Sequence, residues 1–426
     1  MNQNTKNSRR LKILFTEGSS TSSREALYCL GPNHKIDILD PSPFCQSRFS
    51  RFVRRWYRCP SYSREPLAYL RFLVRLLRTE KYDVLFPTHE QIFLLARVKQ
   101  QLQELVGLTV PDFDSLQRVY DKASFARLLA ELNLPRPKTV IVNTADELEK
   151  WDAFPRYIKL AHGTAGQGVW HIENKLELRK LMDVLQSGDL LDGEHEILIQ
   201  EPIVGIQEDA GGFFYEGKML SGGSIQATIV GVGGAAMQRV GTDRPEMVEH
   251  VRKVGEKLNW TGPLGLAGIS NAETGQLGYI EANPRIGETV PGLLAGVNLC
   301  EIVAQISIGQ PPVEFPTDLR PVKTHQSFLN FVSLALAGRG RLAIFRDVVQ
   351  ASLGVGVYAG SEDELTRPRD DWLSLVPAAA VTMLVLAYPP AAQRLVSSTV
   401  KNYALPGSGA NAIARMSQEE LHECFH

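Results

Sequence analysis

Apolar and amphipathic segments alternate along the first part of the chain. Residues 11–16, 35–39 and 83–87 are short, nearly continuous apolar runs, as buried strands require. Residues 66–80 instead repeat leucines at helical spacing and carry arginines on another face. Strands that alternate with helices of this length predict βαβ units and a parallel sheet. Gly18 and a run of serines and threonine follow the first strand, where a ligand-facing loop lies in such a sheet.

The pattern changes near residue 112. We predict one helix over residues 115–132, which Pro135 and Pro137 end. Strand patterns dominate from residue 138 to residue 282, and helical periodicity returns over residues 145–151, 175–186, 245–260 and 292–308. Three prolines between residues 311 and 316 mark a further boundary. The sequence therefore predicts three segments, 1–111, 112–315 and 316–426, of mixed α/β and α+β class.

The charges are sorted along the chain, although they nearly cancel overall. The 426 residues contain 46 Lys and Arg against 47 Asp and Glu, a net charge of −1. This balance gives no overall attraction to nucleic acid or membranes. Residues 1–80, however, hold 15 basic and 6 acidic residues, a surplus of +9. Because 44% of the residues are hydrophobic, a globally disordered protein is excluded.

Two segments leave a contact with a membrane surface open. Residues 48–58 contain five arginines among aromatic residues and no acid, which also fits a solvated face. Residues 372–393 carry no charge over 22 positions, enough to just span a bilayer. Pro377, Pro389 and Pro390 weaken that interpretation, and a buried helix, a re-entrant hairpin or an interfacial segment fits as well.

The cysteines and the N-terminus indicate a cytoplasmic protein. The five cysteines include no C-x-x-C pair, which argues against a disulfide framework and a structural zinc site. We therefore expect reduced, mostly buried thiols. No apolar segment of signal type follows the polar N-terminus, so we expect no secretory signal.

The first stretch with candidate chemistry is residues 157–169, YIKLAHGTAGQGV. Lys159 ends a predicted strand, and Gly163, Gly166 and Gly168 follow in a loop. Such glycines let backbone N–H groups turn towards an anion, to which the lysine adds a positive charge. A flexible hairpin with an incidental lysine is the alternative.

The second stretch is residues 278–287, GYIEANPRIG. Glu281 and Asn283 are two residues apart and would share one face of a strand. A carboxylate and an amide oxygen are hard ligands, suited to a Mg²⁺ ion that bridges phosphates. Arg285 could neutralise charge that develops in phosphoryl transfer. An exposed strand edge with polar residues is the alternative.

The third stretch, residues 197–208, is weaker evidence. An apolar strand runs into Glu201, then Ile203, and Glu208 comes seven residues after Glu201. Backbone groups at a strand exit can bind a purine edge, and a downstream carboxylate can accept from ribose hydroxyls. A plain strand end gives the same pattern. Arg239, after a glycine-rich segment, fits either a phosphate or substrate contact or a solvated strand residue.

Together these motifs resemble the ATP-grasp superfamily, near its carbamoyl-phosphate-synthase-like and carboxylate–amine ligase branches. The resemblance covers residues 1–315, including a βαβ domain that precedes the ATP-grasp domain in that family. The residues 121–125 (DKASF) and 134–137 (LPRP) resemble the helix of the first lysine and its exit. Residues 157–168 resemble the second lysine and the lid loop, 200–203 the adenine hinge, and 281–291 the metal and phosphate motif.

The resemblance implies a two-lobed clamp for ATP with Mg²⁺, or Mn²⁺ in its place. The residues that we assign to ATP are Lys122, Lys159, Gly163, Gly166, Gly168, Glu201, Ile203, Glu208 and Arg239. The family pattern implies that Glu281 and Asn283 bind the metal ion, and that Lys159 and Arg285 act in catalysis. The chain departs from the family where a first metal ligand is expected, because that position falls on Ser270 or Asn271.

The implied activity is that of a ligase. Such an enzyme activates a small carboxylate as an acyl phosphate and joins it to an amine, with no nucleic acid partner. Ser270 motivates a second hypothesis, a non-catalytic ATP-binding protein. A third is a membrane-associated scaffold with a vestigial ATP-grasp core. The sequence does not identify the carboxylate, the amine or the role of residues 316–426.

Overall fold

The computed structural model describes residues 9–163, 168–188, 190–311 and 321–426. Its contacts divide the chain into two compact units. Unit 1 contains residues 1–110, 285–404 and 413–426, and unit 2 contains residues 111–284 and 405–412. Most of the C-terminal region therefore belongs to the same unit as the N-terminal sheet. The division into domains 1–111, 112–315 and 316–426 stays a prediction.

Within the described residues, unit 1 contains a parallel sheet of five strands, as the alternating pattern predicts. Its strand order is β3-β2-β1-β4-β5, with parallel neighbours throughout. Helix α2 begins with a proline in its first turn, where no backbone N–H is needed, and buries its leucine face. The elements are β1 (Lys12–Phe15), α1 (Thr21–Leu30), β2 (Lys35–Asp40), β3 (Val53–Arg58), α2 (Pro66–Glu80), β4 (Val84–Phe86), α3 (Ile92–Arg97), α4 (Lys99–Gln103) and β5 (Gly107–Leu108).

The arginine-rich segment 48–58 includes β3, the edge strand of this sheet. The Arg54 guanidinium pairs with Asp37 of the neighbouring strand, and Arg55 pairs with Glu80 at 3.0 Å. Charged side chains on an edge strand discourage pairing with a strand of another molecule. Part of the basic surplus of residues 1–80 therefore has a structural use.

The loop after β1 is held by two buried carboxylates. Glu17 Oε2 accepts hydrogen bonds from the backbone N–H groups of Ser19 and Ser20, at 2.6 and 2.8 Å. Asp40 Oδ2 accepts from the backbone N–H of Gly18 at 2.9 Å. Burial, with a smaller contribution from Glu17, raises the pKa of Asp40 to about 7. The carboxyl edge of the sheet therefore carries closely spaced acidic groups.

Unit 2 begins with two helices, α5 (Phe113–Tyr120) and α6 (Lys122–Glu131). The predicted single helix over residues 115–132 is therefore interrupted. Asp121 has extended backbone angles, and its carboxylate accepts from the N–H of Ser124 as the N-cap of α6. The helical periodicity did not reveal this break, because the apolar face continues across it.

Two antiparallel sheets follow in the described part of unit 2. The first has the strand order β6-β9-β7-β8, and the second runs β14-β13-β10-β11-β12. Helix α9 buries Met247, Val251 and Val254, and its Gly255 lies against Phe214 of β10, so α9 covers one face of the second sheet. The elements are β6 (Thr139–Thr144), α7 (Ala145–Glu149), β7 (Arg156–Leu160), β8 (Val169–Ile172), α8 (Lys175–Ser187), β9 (Asp192–Gln200), β10 (Ile206–Tyr215), β11 (Lys218–Val230), β12 (Ala236–Thr242), α9 (Pro245–Lys257), β13 (Gly262–Ser270) and β14 (Leu277–Asn283).

The chain then continues mainly as helices. The predicted helix over residues 292–308 is divided where Gly296 adopts a positive φ of 111° and Asn298 caps the next helix. The elements are α10 (Val290–Ala295), α11 (Leu299–Ser307), β15 (Lys323–His325), α12 (Ser327–Leu336), α13 (Arg341–Leu353), β16 (Glu362–Asp363), α14 (Leu375–Ala387), α15 (Ala391–Tyr403), α16 (Gly407–Arg415) and α17 (Gln418–His422).

The uncharged stretch 372–393 is not one continuous helix. Helix α14 covers 13 of its residues, and α15 begins after Pro389 and Pro390. Ala378 and Val385 of α14 pack in a buried cluster with residues of α12 and α13. Within the described ranges, the chain forms no helix with the length and hydropathy needed to cross a membrane. The proposed surface contact through this stretch gains no support.

A buried ion pair joins α1 to the C-terminal region within unit 1. Arg24 Nη2 lies 2.8 Å from Asp371 Oδ2, and their side chains are 2% and 0% exposed. The same guanidinium donates to the Tyr28 hydroxyl and to the carbonyl of Leu365. The five cysteines are free and buried, as the sequence analysis predicts.

Candidate functional site

Lys122 is placed at the first position of α6 by the N-cap Asp121. Its Nζ donates to the carbonyl of Gly163 at 2.7 Å, and its backbone N–H donates to the carbonyl of Ala161 at 2.9 Å. The residue is buried, and its ammonium group lies at the beginning of the glycine loop. Two hydrogen bonds from Lys122 thus fix the start of α6 to the beginning of the glycine loop.

Lys159 lies near the end of β7 and is 7% exposed. Burial lowers the pKa of its ammonium group to about 8, Glu281 raises it, and Lys122 lowers it further. Groups that perturb one another in this way lie close together. The structure therefore brings both predicted lysines and the predicted metal carboxylate into one neighbourhood of unit 2.

The glycine loop is described at its two ends. Gly163 accepts the Lys122 hydrogen bond, and Gly168 has a positive φ of 74° beside Leu160. A Cβ at position 168 would lie 3.1 Å from the Leu160 side chain, so only glycine fits this turn without strain. Gly166 lies outside the described residues, and its assignment stays a prediction.

Glu281 and Asn283 lie at the end of β14 and share one face of the sheet. Their partners on β13 are Ala267 and Gly265, whose small side chains leave this face open. A carboxylate and an amide oxygen fit a Mg²⁺ ion that keeps water and phosphate oxygens as its other ligands. Among the residues that the structure describes, no three His, Cys, Asp or Glu side chains are grouped to hold a metal ion.

The position of the missing first metal ligand needs a correction. The sequence analysis places it at Ser270 or Asn271. Ser270 instead pairs with Leu277, four residues before Glu281, and Asn271 lies in the turn that follows β13. The β13 residue directly across from Glu281 is Ala267. The alignment by motif failed because the β13–β14 turn and a bulge in the pairing shift the register.

Glu208 lies on the opposite face of the sheet from Glu281. Its partner on β13 is the residue after Ala267, whereas Ala267 itself is the partner of Glu281. Neighbouring residues of a strand point to opposite faces of the sheet. Its carboxylate accepts hydrogen bonds from the Ser270 hydroxyl and from Arg244, which precedes α9. The structure therefore does not bring Glu208 together with Glu281, and its ribose role stays a prediction.

Asp209 is the acidic residue that the sequence analysis missed. It pairs with Ala267 across β10 and β13, so Asp209 and Glu281 lie on the same face with only an alanine between them. The adjacent acids at 208 and 209 were the available signal. Only one of two neighbouring strand residues can face the site, and the strand register decides which one.

Arg239 on β12 lies on the same face as Asp209. It pairs with Ala227 of β11, which is two residues from Ile225, the partner of Asp209. Arg239 is 2% exposed and its Nη2 donates to the carbonyl of Ala236 at 2.7 Å. A solvated strand residue, one of the two predicted alternatives, is therefore excluded.

The predicted adenine hinge follows β9. Glu201 comes directly after that strand, and its carboxylate lies 3.3 Å from Arg156 Nη2. Its backbone N–H donates to the carbonyl of Lys138. Ile203 is half-buried and packs against Gly278 of β14. These contacts fix the strand exit, and the binding of adenine there stays a prediction.

Arg285 follows Asn283 by two residues and belongs to unit 1. Its Nε donates to Glu90 Oε1 at 3.0 Å, and Glu90 is 4% exposed. A buried carboxylate thus orients the guanidinium. The predicted catalytic role of Arg285 is not addressed by this contact.

No family model matches the chain. Solved structures of other proteins do match the chain. The biotin carboxylase domain of 2-oxoglutarate carboxylase from Hydrogenobacter thermophilus, in complex with MgADP, ADP and bicarbonate, is 16% identical with a TM-score of 0.60 over 75% of each chain. L-amino acid ligase from Bacillus licheniformis is 17% identical with a TM-score of 0.57 over 75% of this chain and 81% of that one.

An ADP complex of N5-carboxyaminoimidazole ribonucleotide synthetase is 15% identical with a TM-score of 0.59. That match covers 87% of this chain and 96% of the other. At these identities the likeness establishes the fold and leaves the substrates open. The chain has the ATP-grasp fold, preceded by a parallel-sheet domain, as the motifs in its sequence predict.

Proposed function

We propose that the chain is an ATP- and Mg²⁺-dependent ligase that activates a carboxylate as an acyl phosphate and joins it to an amine. The observation that carries this proposal is the convergence of Lys122, Lys159 and Glu281 in unit 2. Two buried cations beside a carboxylate suit a polyphosphate with its metal ion. The ADP complexes among the similar structures support the same class of ligand.

The chemistry follows from these groups. A carboxylate oxygen of the substrate attacks the γ-phosphorus of ATP, the bond to the β–γ bridging oxygen breaks, and ADP leaves. The amine then attacks the acyl carbon, phosphate leaves, and the amine nitrogen loses a proton. Lys122 and Lys159 hold the phosphates in line and offset the negative charge. Glu281 and Asn283 would hold the metal ion, which supplies further charge neutralisation.

A non-catalytic ATP-binding protein is the second candidate. One observation favours it, because the β13 residues across from Glu281 and Asn283 are Ala267 and Gly265. The sheet therefore offers no carboxylate directly across from Glu281, and the acid that shares its face, Asp209, lies one strand further on. A single carboxylate is sufficient for Mg²⁺ when phosphates supply other ligands, so we place the ligase first.

Phosphate release separates the two candidates. The full chain is incubated with ATP, Mg²⁺ and a pool of amino acids and small carboxylates, and phosphate and ADP are measured. A ligase is expected to release both only when its substrates are present. ATP binding without turnover across a broad pool would instead support the non-catalytic protein.

Nucleotide affinity is expected to fall as the pH rises through about 8. Lys159 has a pKa of about 8 in the free protein, and only its protonated form attracts phosphate. The Kd of a non-hydrolysable ATP analogue should therefore rise by up to about tenfold for each pH unit above 8. Calorimetric titrations at several pH values measure this slope.

Lys159→Arg is the control for this pH dependence. A guanidinium stays protonated throughout this range, so the slope should disappear even if the affinity changes. A wild-type Kd that is constant between pH 7 and about 9.5 would contradict a phosphate contact by Lys159.

A further inference from the structure

The carboxyl edge of the parallel sheet in unit 1 carries a second cluster of polar residues. Ligands of open parallel sheets bind outside the carboxyl ends of the strands. Two loops leave this edge, one after β1 with Glu17 and one after β4 with His89 and Glu90. A hydrogen bond between the hydroxyls of Thr16 and Thr88, at 3.2 Å, joins the two loops.

The two loops differ in how their polar groups are satisfied. Glu17 accepts hydrogen bonds from two backbone N–H groups and from the Ser20 hydroxyl. Glu90 accepts from Arg285 at Oε1, whereas its Oε2 is buried and has no hydrogen-bond partner among the described residues. A buried carboxylate oxygen without a donor is costly, so it marks a place where a ligand can contribute a hydrogen bond.

His89 supplies a second acceptor beside Glu90. It is 7% exposed, and burial followed by the charge of Arg285 holds its pKa well below the usual value, so the ring is neutral. The ring is hydrogen-bonded to the backbone of Tyr403, and Nδ1 has no partner in the described chain. The proton therefore sits on Nε2, which leaves a lone pair on Nδ1. That nitrogen lies 3.7 Å from Glu90 Oε1.

The end of α15 covers this cluster. The Tyr403 ring lies 4.6 Å from the His89 ring between centroids, and Asn402 donates to the Ser19 hydroxyl at 3.3 Å. Burial raises the pKa of Tyr403 to about 12, Glu17 and Glu90 add to the rise, and Arg285 opposes it. Tyr403 therefore lies near both loops. The C-terminal region thus contributes residues to this edge of the sheet.

We propose that Glu90 Oε2 and His89 Nδ1 accept hydrogen bonds from the ammonium group of a primary amine substrate. Both atoms are acceptors without a donor, and a primary ammonium has three N–H donors. Only Oε1 of Glu90 accepts from Arg285, which leaves Oε2 for a second donor, and a charged N–H group forms the stronger hydrogen bond with a carboxylate. A metal ion would need a third ligand, and the described residues supply no such group. The inference rests on the proposed function, in which an amine is the second substrate.

Ethylammonium chloride is the probe for this site. Calorimetric melting of the full chain is followed as ethylammonium is added at constant ionic strength, against ethanol and tetraethylammonium chloride. Ethylammonium is expected to raise Tm with saturation in the millimolar range, the range open to so small a ligand. The neutral probe and the cation without N–H groups should leave Tm unchanged.

Glu90→Gln tests the carboxylate, and His89→Phe tests the imidazole while keeping an aromatic ring against Tyr403. Each should weaken ethylammonium binding by about tenfold or more, as expected when a hydrogen bond to a charged group is lost. Glu104→Gln is the matched control, since it removes one exposed carboxylate elsewhere in unit 1 and should bind like the wild type. Both test variants are first checked for cooperative melting. One folded test variant is sufficient to test the proposed site.

Equal effects of ethylammonium and tetraethylammonium would overturn the proposal, as would unchanged binding in both test variants. The Kd of an ATP analogue is measured on the same samples. Intact nucleotide binding and substrate-dependent phosphate release, combined with a negative amine result, would reject this site and leave the proposed ligase standing. Loss of ATP binding in the wild type would instead reject the proposed function.

Discussion

Lys159→Ala is expected to reduce substrate-dependent phosphate release from ATP by about 10³-fold or more. The lysine is buried, and Glu281 and Lys122 both act on its charge. In this environment of low dielectric, an oriented cation stabilises the charge of a transferring phosphoryl group far more than it would in water. Steady-state phosphate release, with the substrates found in the pooled assay, measures the loss.

Glu281→Ala is expected to abolish turnover as well, since it removes the single carboxylate proposed to hold the metal ion. Lys180→Ala is the matched control, because Lys180 is an exposed lysine of α8 in the same unit and should be neutral. Melting curves test whether the variants fold. Burial already disfavours the charged form of Lys159, so its removal should not unfold the protein. Full activity in Lys159→Ala or in Glu281→Ala would refute the assignment of the site.

Asp371→Asn is expected to lower the free energy of unfolding by about 3–5 kcal/mol. Asp371 pairs with Arg24 at 2.8 Å, and both side chains are buried. The substitution keeps the size of the side chain but leaves the guanidinium of Arg24 without a counter-charge. Asp371 Oδ1 also accepts from the backbone N–H of Arg51 at 3.1 Å, so the change weakens a second contact. Urea denaturation followed by circular dichroism gives the difference.

Asp370→Asn is the control for this prediction. Asp370 is adjacent in sequence, but its side chain is 47% exposed and pairs with Arg367. Exposed pairs contribute about 0–1 kcal/mol, so this variant should unfold close to the wild type. Equal destabilisation by the two variants would mean that the buried pair does not hold the C-terminal region to α1.

The helices and strands follow largely from local patterns. Residues 66–80 form a helix with the predicted bounds, because a proline suits its first turn and its leucines recur at helical spacing. The predicted helices over 115–132 and 292–308 are each interrupted. The capping side chain of Asp121 and the left-handed conformation of Gly296 each end a helix at a single residue. A hydrophobic periodicity that is read over several turns does not detect a break of one residue.

The candidate site was likewise predicted in part from local motifs and decided in part by the tertiary structure. The motifs around Lys122, Lys159 and Glu281 predicted which residues belong to it, and the structure brings these three together. The sequence analysis assigned Glu208 to the ribose, and that role stays a prediction, but the sequence did not show that Asp209 is the acid on the face of Glu281. A shift of the strand register by one residue moves every side chain to the opposite face of the sheet. The register of β10 is set by its pairing with β13, and no local sequence pattern encodes that pairing.

The sequence by itself determined the fold class, the order of the motifs, the lysines proposed to bind ATP and the carboxylate proposed to hold the metal ion. These depend on residue type and spacing along one segment. The tertiary structure alone decided which acid shares a face with Glu281, that Ala267 lies across from Glu281, and that most of the C-terminal region joins unit 1. Those features depend on contacts between residues far apart in the chain, such as Arg24 with Asp371 and His89 with Tyr403, and such pairings form only when the whole unit folds.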